Sequence, residues 1–175
     1  MSTSNCQPDT QMQLDATTAQ AVRHLKTIDL ELAYLALLTR EGLKPLSRWE
    51  KPLDQAGLDG LEQVGLLTRQ VPRSVRNGQA FTETVFGKAP AYIELYASHF
   101  ENLPVDKSAE TVRVEGFVFG YPPCCVAHYI RRPYAPNEFP MEKQKVLFHW
   151  ACKGCILTPL LTPAYERIYR LTESL

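Results

Sequence analysis

The chain has 175 residues, 45% hydrophobic and 22% charged, with Lys+Arg and Asp+Glu equal at 19 each. This length suits one domain or two very small ones, and the composition is ordinary for a soluble globular protein. Zero net charge disfavours a strongly basic nucleic-acid binder. The longest apolar run, near residues 30–38 and broken by Glu31, is far short of the roughly 20 residues that span a bilayer.

Residues 1–13 are polar, read as a loose tail, and make Cys6 incidental. They lack the apolar core of a secretory signal. Five cysteines, an odd number, fit a reducing compartment better than a secreted disulfide scaffold, so a cytoplasmic location is expected.

From Asp15 the apolar residues Ala21, Val22, Leu25 and Ile28 recur at helical spacing. Asp29 either caps a second helix or continues the first. Gly42 suits the stop after the leucine-rich stretch. Residues 53–64 predict a short helix ending at Gly65, with Leu58 and Leu61 facing inward. Residues 66–76 and 79–86 flank Asn77-Gly78 and predict a β-hairpin. Pro72 makes its first arm an edge strand.

A helix is expected over 90–100, ended by Asn102-Leu103-Pro104. Residues 111–119 alternate valine and phenylalanine with charge and predict a strand. Pro122-Pro123 stops it, and a helix over 123–131 follows, because proline favours a helix's first turn. Pro133, Pro136 and Pro140 predict an extended loop. Helices are expected over 141–151 and from 162 to the C-terminus.

The fold class expected is α+β, mostly α. Residues 14–104 form a helical region with a hairpin, in the order of a winged-helix module. Residues 105–175 form a second helical region with the cysteines and histidines, the two being separate or one continuous domain.

Two clusters carry the chemistry. The first places Cys124 and Cys125 three to four residues before His128. The second is His149-Trp150-Ala151-Cys152-Lys153-Gly154-Cys155, a C-x-x-C with a histidine ahead of it. In the first turn of a helix begun by Pro123, both thiols meet free N–H groups and the positive end of the helix dipole, which favour thiolate. C-x-x-C is the usual two-ligand half of a zinc or iron–sulfur site. The ligand set expected is Cys125, Cys152, Cys155 and His128, with Cys124 and His149 in reserve. Vicinal cysteines crowd one small tetrahedral site, which is why one of the pair is preferred. Buried cysteines acting as small apolar side chains are the bland alternative.

The segment 119–125, Phe-Gly-Tyr-Pro-Pro-Cys-Cys, resembles a mainly prokaryotic family defined as a domain of unknown function. A Gly-Tyr-Pro-x-Cys-Cys segment and downstream cysteines recur there. The likeness covers about residues 111–155 and implies a role for the cysteine region, without an activity.

Three functions follow as expectations. The first is a small metal-binding protein, zinc first and an iron–sulfur cluster second, with a structural or catalytic role left open. The second is a thiol–disulfide enzyme with Cys124 or Cys125 as nucleophile. The third is a winged-helix regulator sensing metal or redox state. DNA contact would use Arg69, Arg73, Arg76 and Lys88 of the hairpin, but it is disfavoured by Asp54, Asp59 and Glu62 on the helix that would read the groove.

Overall fold

The computed structural model describes residues 13–75 and 77–175; the tail with Cys6, up to residue 12, and Arg76 lie outside these. α1 (Ala16–Ile28) opens at Asp15, whose carboxylate accepts the Thr18 N–H. Asp29 ends α1 and caps α2 (Leu30–Arg40), its side chain accepting the Glu31 N–H. α2 buries every residue from Leu32 to Thr39. A helix apolar all round belongs at the centre of a fold. Beyond it Gly42 takes φ 76°, and the N–H groups of Leu43 and Lys44 turn back to the Leu38 carbonyl.

β1 (Leu46–Trp49), α3 (Gln55–Gln63), β2 (Leu67–Ser74) and β3 (Ala80–Gly87) follow. The strands form one antiparallel sheet in the order β1-β3-β2. The hairpin forms, but not through a two-residue Asn-Gly turn: Ser74 pairs with Ala80, the Val75 N–H donates to the Gln79 carbonyl, and Gly78, not Asn77, takes a positive φ of 85°. β1 was not anticipated, because four residues are too few to show alternation. Pro72 sits on the outer strand β2, where a missing N–H costs no ladder bond. The outer side of β2 is partly covered, since Asn102 and Val105 donate to the carbonyls of Pro72 and Ser74.

α4 (Pro90–Phe100), α5 (Ala109–Val118), α6 (Pro123–Arg131), α7 (Met141–Gln144) and α8 (Leu157–Ser174) complete the chain. The mostly α, α+β class is the one observed. Three local expectations are corrected. Residues 111–119 are not a strand but lie almost wholly in α5: Ser108 caps it, and its buried Gly116 packs on α6. The helix expected over 141–151 stops at Gln144, whose amide bonds the chain beyond it. α8 begins at Leu157, five residues before Thr162, and carries Pro163 inside it.

Two cores result. One joins α1, α2 and α3 to α8, with Val146 and Leu147 between them. The other joins Leu46, Val71 and Val85 of the sheet to Ile93, Tyr96 and Phe100 of α4 and to Val118 at the end of α5. The 14–104 and 105–175 regions thus share both cores.

Charge is also buried. Arg73 and Glu83 form an ion pair at 3.0 Å with both side chains almost fully enclosed, and the Tyr96 hydroxyl donates to Glu83 at 2.6 Å. Arg69 is paired with Glu94 on α4 and with Glu101, which caps the end of that helix. Two of the hairpin's basic residues are therefore already neutralised. Removing one partner of a buried pair strands the other charge. Glu83→Ala is predicted to lower the unfolding free energy by about 3–5 kcal/mol in denaturant titration. Glu94→Ala, on the exposed rim, should cost less than about 1 kcal/mol.

Candidate metal centre

α6 begins at Pro123, which has no N–H to leave unpaired, so Cys124 and Cys125 stand in its first turn. The helix is held there by close contact with α5. A Cβ added to Gly116 would come within 2.4 Å of a Val126 methyl, so only glycine lets the two helices approach. Cys152 and Cys155 lie on a tight turn in which the Cys155 N–H donates to the Cys152 carbonyl. Gly154 supplies the positive φ of 69° that the turn needs.

The two segments meet. The sulfurs of Cys124, Cys125, Cys152 and Cys155 all lie within 4.8 Å of one another. Cys155 Sγ is 3.6 Å from Cys124 Sγ and 3.5 Å from Cys125 Sγ, and the vicinal pair is 4.0 Å apart. Cys124 is exposed, Cys125 is buried, and the other two are half-buried. All four are free thiols at a spacing compatible with holding a metal ion.

The histidines stay outside this group. His128, expected as a ligand, has its Nε2 buried with no hydrogen-bond partner among the described residues. His149, held in reserve, bonds through Nε2 to the Thr158 hydroxyl at 2.9 Å. Cys124, also in reserve, takes a full place. The vicinal pair fits because the start of a helix splays successive side chains by about 100°.

Thr158 is the residue that sequence reading missed. Its hydroxyl lies 3.2 Å from Cys155 Sγ and 3.5 Å from Cys125 Sγ, and its N–H donates to Cys155 Sγ at 3.3 Å. The Cys152 N–H donates to Cys125 Sγ at 3.4 Å. The signal was the C-x-x-C-x-x-T spacing, which puts a threonine in the first turn of the helix after the thiols. Placing that helix's start at Thr162 hid it.

These contacts divide the thiols. Burial raises Cys155, but the hydroxyl and N–H of Thr158 and the neighbouring sulfurs outweigh it and bring the thiol down to about 7. Burial pushes Cys152 up to about 11 and Cys125 well above the ordinary thiol range. Burial, with the positive Lys44, holds His149 down at about 4, so its ring is neutral at pH 7. Beside Cys125 is a cavity of about 490 Å³ walled by Tyr121, Tyr129, Tyr134, Phe148 and Trp150.

No protein-family model matches the chain, and no curated protein or solved structure does so either. The chemistry therefore rests on the geometry.

Two outcomes are predicted. Gly116→Ala should destabilise the fold by about 1–3 kcal/mol, and adding Val126→Ala should recover most of that loss in thermal melts. In metal-free protein, alkylation of Cys155 should rise as pH passes through about 7, because thiolate is the nucleophile, while Cys152 stays protonated and slow until about pH 11. Peptide mapping after brief iodoacetamide pulses reads both.

Proposed function

We propose that Cys124, Cys125, Cys152 and Cys155 bind one zinc ion as a tetrathiolate centre whose role is structural. The observation that carries this is the mutual closeness of four sulfurs. A zinc–sulfur bond of about 2.3 Å in a tetrahedron sets neighbouring sulfurs about 3.8 Å apart. The separations of 3.5, 3.6 and 4.0 Å among Cys124, Cys125 and Cys155 bracket that value, and Cys152 Sγ lies within 4.8 Å of all three. An iron–sulfur cluster spreads its cysteines around several iron atoms, so this compactness favours a single ion. Four protein ligands leave no position for water, which argues against a hydrolytic role. Thr158 and the N–H of Cys152 supply the outer hydrogen bonds that orient such ligands. The resemblance of segment 119–125 to a family without an assigned activity supports the choice of region and nothing finer. Four free thiols suit a reducing, cytoplasmic setting.

A second reading is thiol–disulfide exchange. Its support is the lowered Cys155 thiol lying 3.5 Å from Cys125 Sγ. The pair would give two electrons and two protons to an acceptor disulfide. Metal analysis separates the two. Protein purified under reducing conditions should carry one zinc per chain, lose it to a strong chelator, and then melt at a lower temperature. Its cobalt form should show the visible bands of tetrahedral thiolate coordination. Metal-free protein with an unchanged melting temperature, cycling readily between dithiol and disulfide, would favour the second reading. Thr158→Val is predicted to weaken zinc binding about 10- to 100-fold in chelator competition without changing the stoichiometry.

A further inference from the structure

Lys44 is 2% exposed, a burial that lysine seldom reaches without a partner. Its surroundings are apolar. The Nζ lies 4.7 Å from the centre of the Tyr121 ring and 5.3 Å from those of Phe119 and Phe148. It donates to the Phe119 carbonyl at 3.2 Å. Among the described residues no carboxylate pairs with it. Of the two acids that line its cavity, Glu50 is paired with Arg48, and Glu31 makes no ion pair with the amine.

The ammonium group is held in place by the fold. The turn at Gly42 fixes the Lys44 backbone, and β1 begins two residues later. The side chain lines a cavity of about 280 Å³ between α2, β1 and the Phe119–Tyr121 corner. A hydrocarbon side chain would fill an aromatic cage at less cost than an amine. Arg48, a second cation lining the cavity, holds its guanidinium over the same Phe119 ring. Burial and a neighbouring positive charge are the two means by which proteins make a lysine nucleophilic.

We propose that Lys44 is a reactive amine whose cavity admits a small aldehyde or ketone and condenses with it. The Nζ lone pair attacks the carbonyl carbon. One amine proton passes to the carbonyl oxygen, and the carbinolamine then loses its hydroxyl and the remaining N–H proton as one water, leaving a C=N bond to Nζ. No oxidant, reductant or metal is consumed, so the site is independent of the cysteine centre.

The protonation state agrees with this role. Burial first, and Arg48 second, bring the Lys44 amine down to about 7. The ring faces favour the cation and offset part of this. The charged and titratable groups facing the amine are Glu31 from α2, Arg48, Glu50 and Lys51 from β1 and the residues after it, Tyr121, and His149 from the loop before the C-x-x-C.

The test is labelling of the folded, full-length protein with propionaldehyde and cyanoborohydride at pH 7, mapped by peptide mass. An ordinary lysine near 10.4 is only about 0.04% neutral at pH 7. Lys44 should be labelled at least about tenfold faster than any other lysine, its rate rising through pH 7 rather than above pH 9. Lys44→Arg should abolish the label at that position with an unchanged circular dichroism spectrum. Lys44 labelled no faster than the exposed lysines, or only after denaturation, would overturn the proposal and leave the amine a packed cation. Both readouts hold whether or not zinc is bound, so failure here is distinct from failure of the metal reading.

Discussion

Irregular backbone can be buried only if its peptide groups find partners. Between residues 137 and 151 two amide side chains provide them. Asn137 donates to the Ala151 carbonyl at 2.8 Å and accepts the Phe139 N–H. Gln144 donates to the His149 carbonyl at 2.7 Å and accepts the Ala151 N–H. Trp150 closes the loop with a bond from its indole to the Ala135 carbonyl. The Tyr34 hydroxyl, from the centre of α2, ties the Val146 carbonyl to the helical core. Residue 152 begins where this scaffold ends. The second cysteine pair owes its position to that polar framework more than to the thiols.

The first pair is positioned by different physics. α6 is a short helix with one buried residue, Cys125, so burial alone scarcely fixes it. It is set by contact with α5 at Gly116 and by the sharp corner at Gly120, whose φ of 71° leads into the two prolines. A Cβ on Gly120 would lie 2.6 Å from the Pro45 ring. The same corner carries Phe119 and Tyr121, which form one wall of the Lys44 cage. One backbone turn thus serves both the thiols and the amine.

Much of this was legible in the sequence because local rules and tertiary packing agreed. α4 and α6 follow their proline starts, and the hairpin forms around Asn77-Gly78 with Pro72 on its outer strand. The approach of segment 124–128 to segment 149–155 could be anticipated from their thiols and imidazoles, but the spacing pointed to Cys125 with His128 rather than to both vicinal cysteines. Where the rules disagreed, packing won. Residues 111–119 carry β-branched and aromatic side chains, yet Ser108 caps them into a helix whose glycine must meet Val126. His128 shares a helical spacing with both cysteines, but its Nε2 is buried apart from the sulfur group, which helical spacing alone does not reveal. No local pattern reveals Lys44, since it acquires its environment from segments distant in the chain.

The helix α8 has a temporal consequence. Its Tyr165 and Ile168 fill the core around α2, and the Lys26 ammonium of α1 reaches the Glu173 carbonyl near its far end, 147 positions away. During synthesis the leucine-rich surface of α2 emerges first and waits for a cover made more than a hundred residues later. A chain halted before residue 157 would lack the part of that cover which Tyr165 and Ile168 provide.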